Sequence, residues 1–600
     1  MPKLSNLTLN VTSDAPDFRD RYYEPTLAPL RTTFHPPGNL FILDQGSEGA
    51  CTGFGLAAAI NLLYRQRDDE HKVSARMLYE MARRYDEWAG EDYEGSSCRG
   101  AIKGWKNTGV CSDTLCPYRP KSRFRITPEI SADAKSRTLG AYYRLRPVVS
   151  DWHAAINEAG VVYASAQVHS GWSSPVKDSD NEAVIPHRDM LEGGHAFAVV
   201  GYNAKGFWVQ NSWGDEWGDD GLALWLYEDW ANNVMDGWVI QLALPTPQVF
   251  DLGLNAGAAS SANNRAEKGA PARFAIEEHF VHLDDGKYHD SGRYWSNKDH
   301  MSVVQSALAN SGCQHLLLYA HGGLNSTKAS ATRIAAMKPV FLANGIYPFH
   351  FMYDTGLLEE LKDVIFGKSR RAERVTGGVR DWFDRRIENA TRKPGRALWR
   401  EMKFGAEAPF RRTSDDGTDV LERLLSSLPQ GMQIHVVGHS TGAILHAHLL
   451  ARLAQIDPAQ QVSTCALLAP AATNALFEAK YRPLLEAGLI GQLNIYNLTD
   501  KLERDDTVAK IYGKSLLYLV SRAFEERYKA PILGMEKYNK QIDGKGHPLE
   551  FVYARSTDRG RSRSDTHGGF DNDPATMNDV LKQILGGSPD RPFKKSDLEY

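Results

Sequence analysis

The chain of 600 residues has few cysteines, no long apolar run and little net charge. No uninterrupted apolar stretch approaches the roughly 18 residues that a membrane-spanning helix needs. The first residues, Met1–Leu7, contain no basic segment followed by an apolar core, as a secretory signal would. We therefore expect a protein without a transmembrane segment or signal peptide, and a cytoplasmic location, although a specialised delivery route is compatible with the same sequence.

The six cysteines are too sparse for a secreted disulfide scaffold, and none of them forms a CxxC pair. We expect mostly free thiols, no metal site and no cofactor. The formal net charge is -4, with 24% of the residues charged. This composition gives no overall positive field that would attract nucleic acid, so we expect no nucleic-acid partner.

The length indicates more than one domain, because a single hydrophobic core rarely organises so many residues. Residues 252–273 are small and polar and have no hydrophobic periodicity, which is typical of a flexible linker. The sequence therefore predicts one domain over residues 1–251, including a short N-terminal extension, and a second over residues 274–600.

The two parts differ in the order of their predicted elements. Before the linker, helical patterns precede β-rich runs, which indicates an α+β domain. The helical patterns are Gly53–Arg65 and Ala75–Glu87, and the β-rich runs are Ala196–Tyr202, Gly206–Gln210 and Leu222–Leu226. After the linker, apolar runs alternate with longer amphipathic stretches, which predicts a mostly parallel sheet with helices on both faces. These runs are His315–Ala320, Tyr347–Tyr353, Ile434–Val437, Ala466–Ala469, Leu493–Asn497 and Glu550–Ala554.

Cys51 is a candidate nucleophile. A cysteine attacks as thiolate, so it needs a base nearby and gains from a helix N-terminus. Cys51 follows a turn-like segment, residues 46–49, and precedes an apolar helical stretch. His195 stands at the head of a β-like run, where a base can be held rigidly, and Asn211 follows the next run.

Gln45, Cys51, His195 and Asn211 resemble the papain-like cysteine peptidases in order and spacing, over residues 17–244. The resemblance implies that Cys51 is the nucleophile and His195 its general base, that Asn211 orients the imidazole and that Gln45 is an oxyanion donor. It also implies that Trp213 shields the bond between His195 and Asn211, and that the substrate is a peptide or protein. Segments 92–97, 109–111 and 116–118 resemble the stretch that lines the peptide-binding cleft in that family.

The chain departs from the family pattern at three points. Glu48 stands where many secreted relatives have a cysteine, so their disulfide cannot form, and Thr52 replaces the usual aromatic residue. About 40 residues precede the motif, too few for the long inhibitory prosegment of the secreted enzymes, so we expect another form of control. The alternative is a pseudo-peptidase in which Cys51 and His195 are core residues.

Ser440 is a second candidate nucleophile. Residues 433–437 read as a strand, Gly438-His-Ser440-Thr-Gly442 as a tight turn and residues 443–450 as a helix, which is the context of a nucleophile elbow. Upstream, Gly322 and Gly323 follow another strand. Their backbone N–H groups are candidates to form an oxyanion hole with that of Thr441.

These features resemble the α/β-hydrolase family over residues 273–585. The resemblance implies a triad of Ser440, Asp500 and His567, in the chain order that this fold uses. Asp505 and Asp506 are alternative acids. The resemblance further implies a lipase- or esterase-like enzyme acting on an ester, thioester or lipid. In the alternative interpretation, Ser440 merely occupies a tight turn.

The interval between Tyr353 and the elbow is longer than a crossover needs, which predicts a helical insert acting as a lid. Residues 366–403 carry twelve Lys or Arg against five Asp or Glu. This excess of positive charge is suited to binding an acidic substrate or a partner protein, or to peripheral contact with lipid headgroups. In the alternative interpretation, these residues form a solvated helical face. His439, His446 and His448 lack matching acidic or cysteine ligands, so we assign them to packing rather than to a metal.

The sequence as a whole predicts a bifunctional hydrolase, a cysteine peptidase joined to a serine hydrolase, both using acyl-enzyme intermediates. In the alternative interpretation only one of the two domains is catalytic, and the other binds a peptide or a partner protein. A third hypothesis is that the peptidase releases the hydrolase by cutting near residues 252–273.

Overall fold

The computed structural model describes residues 7–600 except 19, 27–28, 39, 87–94, 244–269, 323–325, 354–379, 509–511, 543 and 555–559. It divides into two compact units. The N-terminal unit holds Met1–Glu267, Ala272–Phe274 and Ser291–Arg293, and the C-terminal unit holds the rest. Most of the predicted linker, residues 252–269, lies outside the described residues. Among the helices described, none is long and apolar enough to cross a membrane.

The N-terminal unit begins with helices. Ser74 and Ser97 cap two of them by accepting main-chain N–H groups of the first turn, as serine does at helix starts. The helix predicted from Gly53 begins two residues earlier, at Cys51. The helices in the described part of this unit are α1 (Cys51–Arg65), α2 (Ala75–Tyr85), α3 (Cys98–Thr108), α4 (Pro128–Lys135), α5 (Val149–Ala159) and α6 (Tyr227–Asn233).

An eight-stranded sheet follows, in the order β1-β8-β2-β5-β6-β7-β4-β3. All pairings are antiparallel except that of β4 with β7. The three predicted β-rich runs fall on β5, β6 and β7. The strands are β1 (Leu139–Arg144), β2 (Val162–His169), β3 (Val176–Lys177), β4 (Ala183–Val184), β5 (Leu191–Tyr202), β6 (Gly206–Gln210), β7 (Leu222–Leu226) and β8 (Val234–Leu242).

Two glycines of α1 allow this helix to pack closely on its neighbours. A Cβ at Gly55 would lie 2.9 Å from the main-chain nitrogen of Phe197 in β5, and one at Gly53 would lie 2.6 Å from the carbonyl oxygen of Ala75. Along β5, Ala196 shares an apolar core with α1, whereas Phe197 belongs to the core on the other face. The start of α1 is thereby held against the part of β5 that carries His195.

The C-terminal unit contains a second eight-stranded sheet, in the order β10-β9-β12-β11-β13-β14-β15-β16. It is parallel at every pairing except that of β9 with β10. Each of the six predicted apolar runs falls on one of its strands. The strands are β9 (Phe280–Asp284), β10 (Lys287–Tyr288), β11 (His315–Ala320), β12 (Ile346–Tyr353), β13 (Gln433–His439), β14 (Val462–Leu468), β15 (Ile490–Leu498) and β16 (Leu549–Ala554).

Helices cover both faces of this sheet. Alternate residues of β11 divide between two cores: Leu316 and Leu318 pack on one face, and Leu317 and Tyr319 on the other. The helices are α7 (Lys298–Ala309), α8 (Thr327–Ala343), α9 (Arg380–Glu407), α10 (Asp416–Ser426), α11 (Gly442–Ile456), α12 (Asn474–Leu476), α13 (Arg482–Glu486), α14 (Asp500–Asp505), α15 (Leu516–Leu519), α16 (Glu536–Asn539) and α17 (Pro574–Leu585).

Candidate active sites

Cys51 is the first residue of α1, and its side chain is fully buried. The main-chain N–H groups of Ala196 and Thr52 face its sulfur and favour the thiolate. Burial raises the pKa of the thiol to about 11, although these N–H groups act in the opposite direction. Because Ala196 follows His195 in β5, the fold brings the sulfur beside the strand that carries the predicted base.

His195 is held by Asn211, which follows β6. Its Nε2 lies 2.8 Å from Asn211 Oδ1, and the same oxygen accepts the main-chain N–H of Ser212, also at 2.8 Å. An amide oxygen only accepts hydrogen bonds, so Nε2 of His195 carries the proton and donates it. In the neutral ring, Nδ1 then has a free lone pair, and it makes no hydrogen bond within the described part of the chain.

Burial lowers the pKa of His195 to about 4, with the Asn211 hydrogen bond opposing the shift. The imidazole is therefore neutral at neutral pH. Trp213, itself buried, lies with its ring centroid 4.6 Å from that of His195. Trp213 therefore packs against the imidazole whose Nε2 contacts Asn211.

Gln45 lies in the loop before α1, where its amide Nε2 donates to the carbonyl oxygen of Glu48 at 3.0 Å. Its Oε1 accepts the hydroxyl of Ser212 at 2.8 Å, which links the loop to the segment that carries Asn211. An amide group has two N–H donors, so this geometry leaves a second one in addition to the bond with Glu48.

Glu48, at the position where the family resemblance places a cysteine, anchors this loop through a buried ion pair. Its carboxylate accepts two hydrogen bonds from Nη1 of Arg76, at 2.9 and 3.0 Å, and one from the main-chain N–H of Lys121 at 3.1 Å. The hydroxyl of Tyr118 lies 2.8 Å from both this carboxylate and the carbonyl oxygen of Gln45. Sequence reasoning noted Glu48 only as a lost disulfide and did not find this network.

Ser440 occupies a strained turn between β13 and α11. Its φ is +54°, a region that non-glycine residues seldom adopt. A Cβ at Gly442 would lie 2.3 Å from the carbonyl oxygen of Ala320, so the turn lies directly against the end of β11. A strained serine between a strand and a helix is the geometry that presents a hydroxyl to a base.

His567 lies next to this serine. It begins the 3₁₀ segment His567–Asn572, and its Nε2 lies 3.0 Å from Oγ of Ser440. Burial lowers the pKa of His567 to about 3, and the neighbouring His439 adds to the effect. Its buried Nδ1 makes no hydrogen bond within the described part of the chain.

The structure does not bring Asp500, the predicted acid, to His567. Thr499 caps α14, so Asp500 stands in its first turn, where its carboxylate accepts the hydroxyl of Tyr518 at 2.6 Å and pairs with Arg504 at 2.5 Å. The alternative Asp505 is exposed. Asp506, the other alternative, accepts the main-chain N–H of His567 through Oδ2 at 2.9 Å. Of the three acids, Asp506 is the one that contacts the histidine.

The structure describes two of the three candidate oxyanion residues, Thr441 and Gly322. Thr441 is the N-cap of α11, and its hydroxyl lies 2.9 Å from that of Tyr353. Gly322 follows β11, and its carbonyl oxygen lies 2.8 Å from Nδ1 of His321. Gly323 lies outside the described residues.

Sequence reasoning did not find the buried set of charged and polar side chains that surrounds Asp571. Asp571 pairs with Arg333 at 3.0 Å and accepts the hydroxyl of Tyr319 at 3.1 Å. It also lies 3.3 Å from Nδ1 of His439, whose Nε2 contacts the carbonyl oxygen of His567 at 3.0 Å. These residues come from four separate segments, so no local pattern indicates the group.

The two other histidines near the elbow have no metal-like arrangement in the described residues. Nε2 of His446 donates to the carbonyl oxygen of Val437 at 2.9 Å, a packing role. Burial lowers the pKa of His448. In the N-terminal unit, His169, His187 and Asp229 cluster, but Nδ1 of His169 accepts the N–H of Gly171, so its Nε2 carries a proton toward Asp229 and has no lone pair for a metal.

The basic stretch before the elbow is described only from residue 380 onward, as α9. Several of its cations are bound within the unit. Arg392 and Arg396 donate to carbonyl oxygens of Arg522, Glu525 and Glu526, and Lys403 pairs with the Glu525 carboxylate at 3.0 Å. These three cations therefore have partners within the unit, whereas the predicted role of the stretch as a whole stays untested, since residues 366–379 lie outside the described residues.

A sequence model for the papain family of cysteine proteases matches residues 40–234, which contain Cys51, His195 and Asn211. An uncharacterized peptidase C1-like protein of Acanthamoeba polyphaga mimivirus is 28% identical over 35% of this chain and 73% of its own length. Oryzain gamma chain of Oryza sativa subsp. japonica is 25% identical over 30% of this chain, and Cysteine proteinase 3 of Solanum lycopersicum is 26% identical over the same share. The matched part spans half the length of each plant protein.

Among solved structures, xylellain, a cysteine protease from Xylella fastidiosa, matches with a TM-score of 0.36 and 25% identity. The match covers 39% of this chain and 96% of xylellain. The family model ends at residue 234, so it does not reach the C-terminal unit.

Proposed function

We propose, starting from the papain-like cysteine peptidase domain that residues 40–234 form, that the chain is a bifunctional hydrolase. Its N-terminal head cleaves peptide bonds with Cys51 as nucleophile and His195 as general base. The observation that carries this assignment is the shared Oδ1 of Asn211, which fixes the proton on Nε2 of His195 and leaves Nδ1 as an acceptor. A general base needs an available lone pair. Here that lone pair lies in a buried site beside the start of the helix that carries Cys51.

The reaction follows from this arrangement. Nδ1 of His195 takes the thiol proton as the sulfur of Cys51 attacks the peptide carbonyl, and the oxygen becomes an oxyanion. The N–H of Cys51 and the second amide hydrogen of Gln45 are the donors for that charge. The imidazolium then protonates the departing amine, which leaves a thioester. Water, deprotonated by His195, hydrolyses the thioester and regenerates the thiol.

Peptide hydrolysis by the Cys51→Ala chain tests this assignment. We expect the substitution to abolish cleavage of a peptide mixture, whereas Cys313→Ala, which removes a thiol of the other unit, leaves it intact. Cleavage that survives in the Cys51→Ala chain would assign the peptidase activity to another site. A wild-type chain that cleaves nothing would favour the pseudo-peptidase alternative, a peptide-binding module.

A second function rests on a separate observation, the strained Ser440 placed 3.0 Å from His567. It supports a serine hydrolase of the α/β-hydrolase type in the C-terminal unit. Ser440 forms the acyl-enzyme, His567 moves the proton, and Asp506 is the acid, because its carboxylate already holds the main chain of the histidine. The substrate class is an ester, thioester or lipid, whose acyl group is transferred to Ser440 and then to water.

Short-chain and long-chain p-nitrophenyl esters test this second function. We expect Ser440→Ala to abolish ester hydrolysis and the exposed Ser426→Ala to leave it unchanged. If the two variants hydrolyse the esters equally, Ser440 is not the nucleophile, and the C-terminal unit becomes a binding module beside a working peptidase.

A further inference from the structure

Cys111 and Cys116 lie at the two ends of a tight turn in the N-terminal unit. Both carry free thiols, as do the other four cysteines of the chain. The main-chain N–H groups of Leu115 and Cys116 donate to the carbonyl oxygen of Ser112, at 3.2 and 3.3 Å. These two hydrogen bonds close the turn and return the chain toward Cys111.

A single residue, Ser74, binds both ends of this turn. Its main-chain N–H donates to the carbonyl oxygen of Cys111 at 2.9 Å, and its hydroxyl donates to that of Cys116 at 2.6 Å. The main-chain N–H of Cys111 also lies 3.3 Å from Sδ of Met77 in α2. Both cysteines are therefore held close together against the start of α2.

The two thiols interact directly. A hydrogen bond between them raises the pKa of Cys111 and lowers that of Cys116 to about 7, and the Arg76 guanidinium adds to the lowering. At neutral pH, about half of the Cys116 thiol is therefore thiolate. Cys111 holds its proton and supplies it to this hydrogen bond.

Cys116 is the thiol of this chain that is best suited to exchange with a disulfide. It is partly exposed, whereas Cys111 is fully buried. A thiolate is the form that attacks a disulfide sulfur, so access and a low pKa favour the reaction. Burial raises the pKa of each of the remaining thiols, which are those of Cys51, Cys98, Cys313 and Cys465.

We propose that Cys111 and Cys116 are a redox-active pair that closes to a disulfide by exchange with a low-molecular-weight disulfide such as oxidised glutathione. The Cys116 thiolate attacks one sulfur of oxidised glutathione, which breaks its S–S bond and releases one glutathione thiolate. That thiolate takes the proton of Cys111, whose sulfur then attacks Cys116 and releases the second glutathione. The two protein thiols are oxidised, and one oxidised glutathione is reduced to two glutathione molecules. The pair is separate from Cys51, so this chemistry requires no peptidase activity.

The disulfide stabilises the segment that contacts Glu48. Residues 117–121 follow the turn directly, and they bring the hydroxyl of Tyr118 and the main-chain N–H of Lys121 to the Glu48 carboxylate, at 2.8 and 3.1 Å. A bond between Cys111 and Cys116 restricts the unfolded chain. We therefore expect the oxidised chain to unfold at a temperature about 4 to 8 °C higher than the reduced chain.

Incubation of the full chain in glutathione buffers of increasing oxidised fraction tests the pair. Free thiols are then blocked with iodoacetamide, and the chain is digested for peptide mapping. We expect one protein disulfide, between Cys111 and Cys116, which dithiothreitol reverses. Cys313→Ser is the matched control, because it removes a half-buried thiol of the other unit, and it should leave this disulfide unchanged.

The two single variants should differ, because the two thiols have different roles. Cys111→Ser removes the thiol that resolves the intermediate, so Cys116 should keep one glutathione as a mixed disulfide. Cys116→Ser leaves the buried Cys111 alone, and its uptake of glutathione should be at least about tenfold lower. The rise in unfolding temperature on oxidation should be absent from both variants.

Two results would overturn the pair. The first is a folded wild-type chain in which Cys111 and Cys116 stay reduced at every buffer ratio. The second is equal uptake of glutathione by Cys111→Ser and Cys116→Ser, which would show that Cys116 has no special reactivity.

Discussion

Nε2 of His195 lies 2.8 Å from Oδ1 of Asn211, in a buried site beneath Trp213. The same oxygen is fixed by the main-chain N–H of Ser212. The asparagine therefore sets the tautomer and the orientation of His195, the proposed base, and a substitution at Asn211 tests both.

Asn211→Ala is expected to lower kcat of peptide hydrolysis about tenfold, because one buried hydrogen bond of about 1.4 kcal/mol is lost from the base. KM should change little, since Asn211 does not contact substrate. Steady-state kinetics on a peptide substrate measure both values, with the exposed Asn232→Ala as the matched control. Equal kcat in the two variants would show that Asn211 does not orient the base.

The pH dependence of peptide hydrolysis follows from the two buried groups. Burial lowers the pKa of His195 to about 4 and raises that of Cys51 to about 11. The base is active only when unprotonated, so kcat/KM should fall as pH drops through about 4 and stay level up to about pH 10. Rates measured across this range, with circular dichroism to check folding, test the prediction. An acidic limb near 6.5 would contradict the lowered pKa.

Glu48→Gln tests the network that holds the loop of Gln45. The substitution keeps the shape of the side chain but removes the charge that faces Arg76, so we expect a loss of about 1 to 3 kcal/mol in the free energy of unfolding. The kcat of peptide hydrolysis should fall severalfold, because Gln45 loses its fixed position. Glu80→Gln is the control, since Glu80 pairs with the same arginine away from the loop. A larger loss of kcat in Glu80→Gln would contradict this role.

Asp506→Asn and Asp500→Asn separate the two candidate acids of the serine site. Because Asp506 contacts His567 and Asp500 contacts Tyr518 and Arg504, only Asp506→Asn should slow the reaction of Ser440 with a fluorophosphonate. The expected factor is roughly tenfold or more, as for a lost charged partner of the base. Slower labelling in Asp500→Asn alone would restore Asp500 as the acid.

Asp571→Asn tests the buried charge pair of the C-terminal unit. Burial by itself raises the pKa of Asp571, but the Arg333 guanidinium and His439 hold it well below its ordinary 3.8. A lowered pKa stabilises the fold above about pH 4, and the contribution is lost as pH falls. At neutral pH the substitution leaves Arg333 unpaired, so we expect a loss of about 3 to 5 kcal/mol in the free energy of unfolding. Chemical denaturation at pH 7, pH 4 and about pH 2 measures this loss, which should be nearly the same at pH 7 and pH 4 and shrink toward pH 2. A loss that has already disappeared at pH 4 would contradict the lowered pKa.

The sequence predicted the order of the strands and helices and the local setting of Cys51 and Ser440, because periodicity and short motifs encode these features locally. The catalytic roles of these two residues stay predictions. Cys51 stands at a helix start and Ser440 in a strained turn between glycines, where composition alone is informative. The contacts of Asp500 were not predictable, because the cap by Thr499 places it in the first turn of α14, where its carboxylate meets Tyr518. The contacts of the Glu48 carboxylate with Arg76, Tyr118 and Lys121 join segments far apart in the chain, so they leave no periodic signal.

The most direct test of the two-headed hydrolase is intact-mass analysis after a thiol-directed epoxide and, separately, a fluorophosphonate. It should be run on the wild-type chain with Cys51→Ala and Ser440→Ala controls. We predict one epoxide adduct that Cys51→Ala abolishes and one fluorophosphonate adduct that Ser440→Ala abolishes. A folded chain that takes up neither reagent, or adducts that survive their own substitutions, would contradict the presence of two activated nucleophiles.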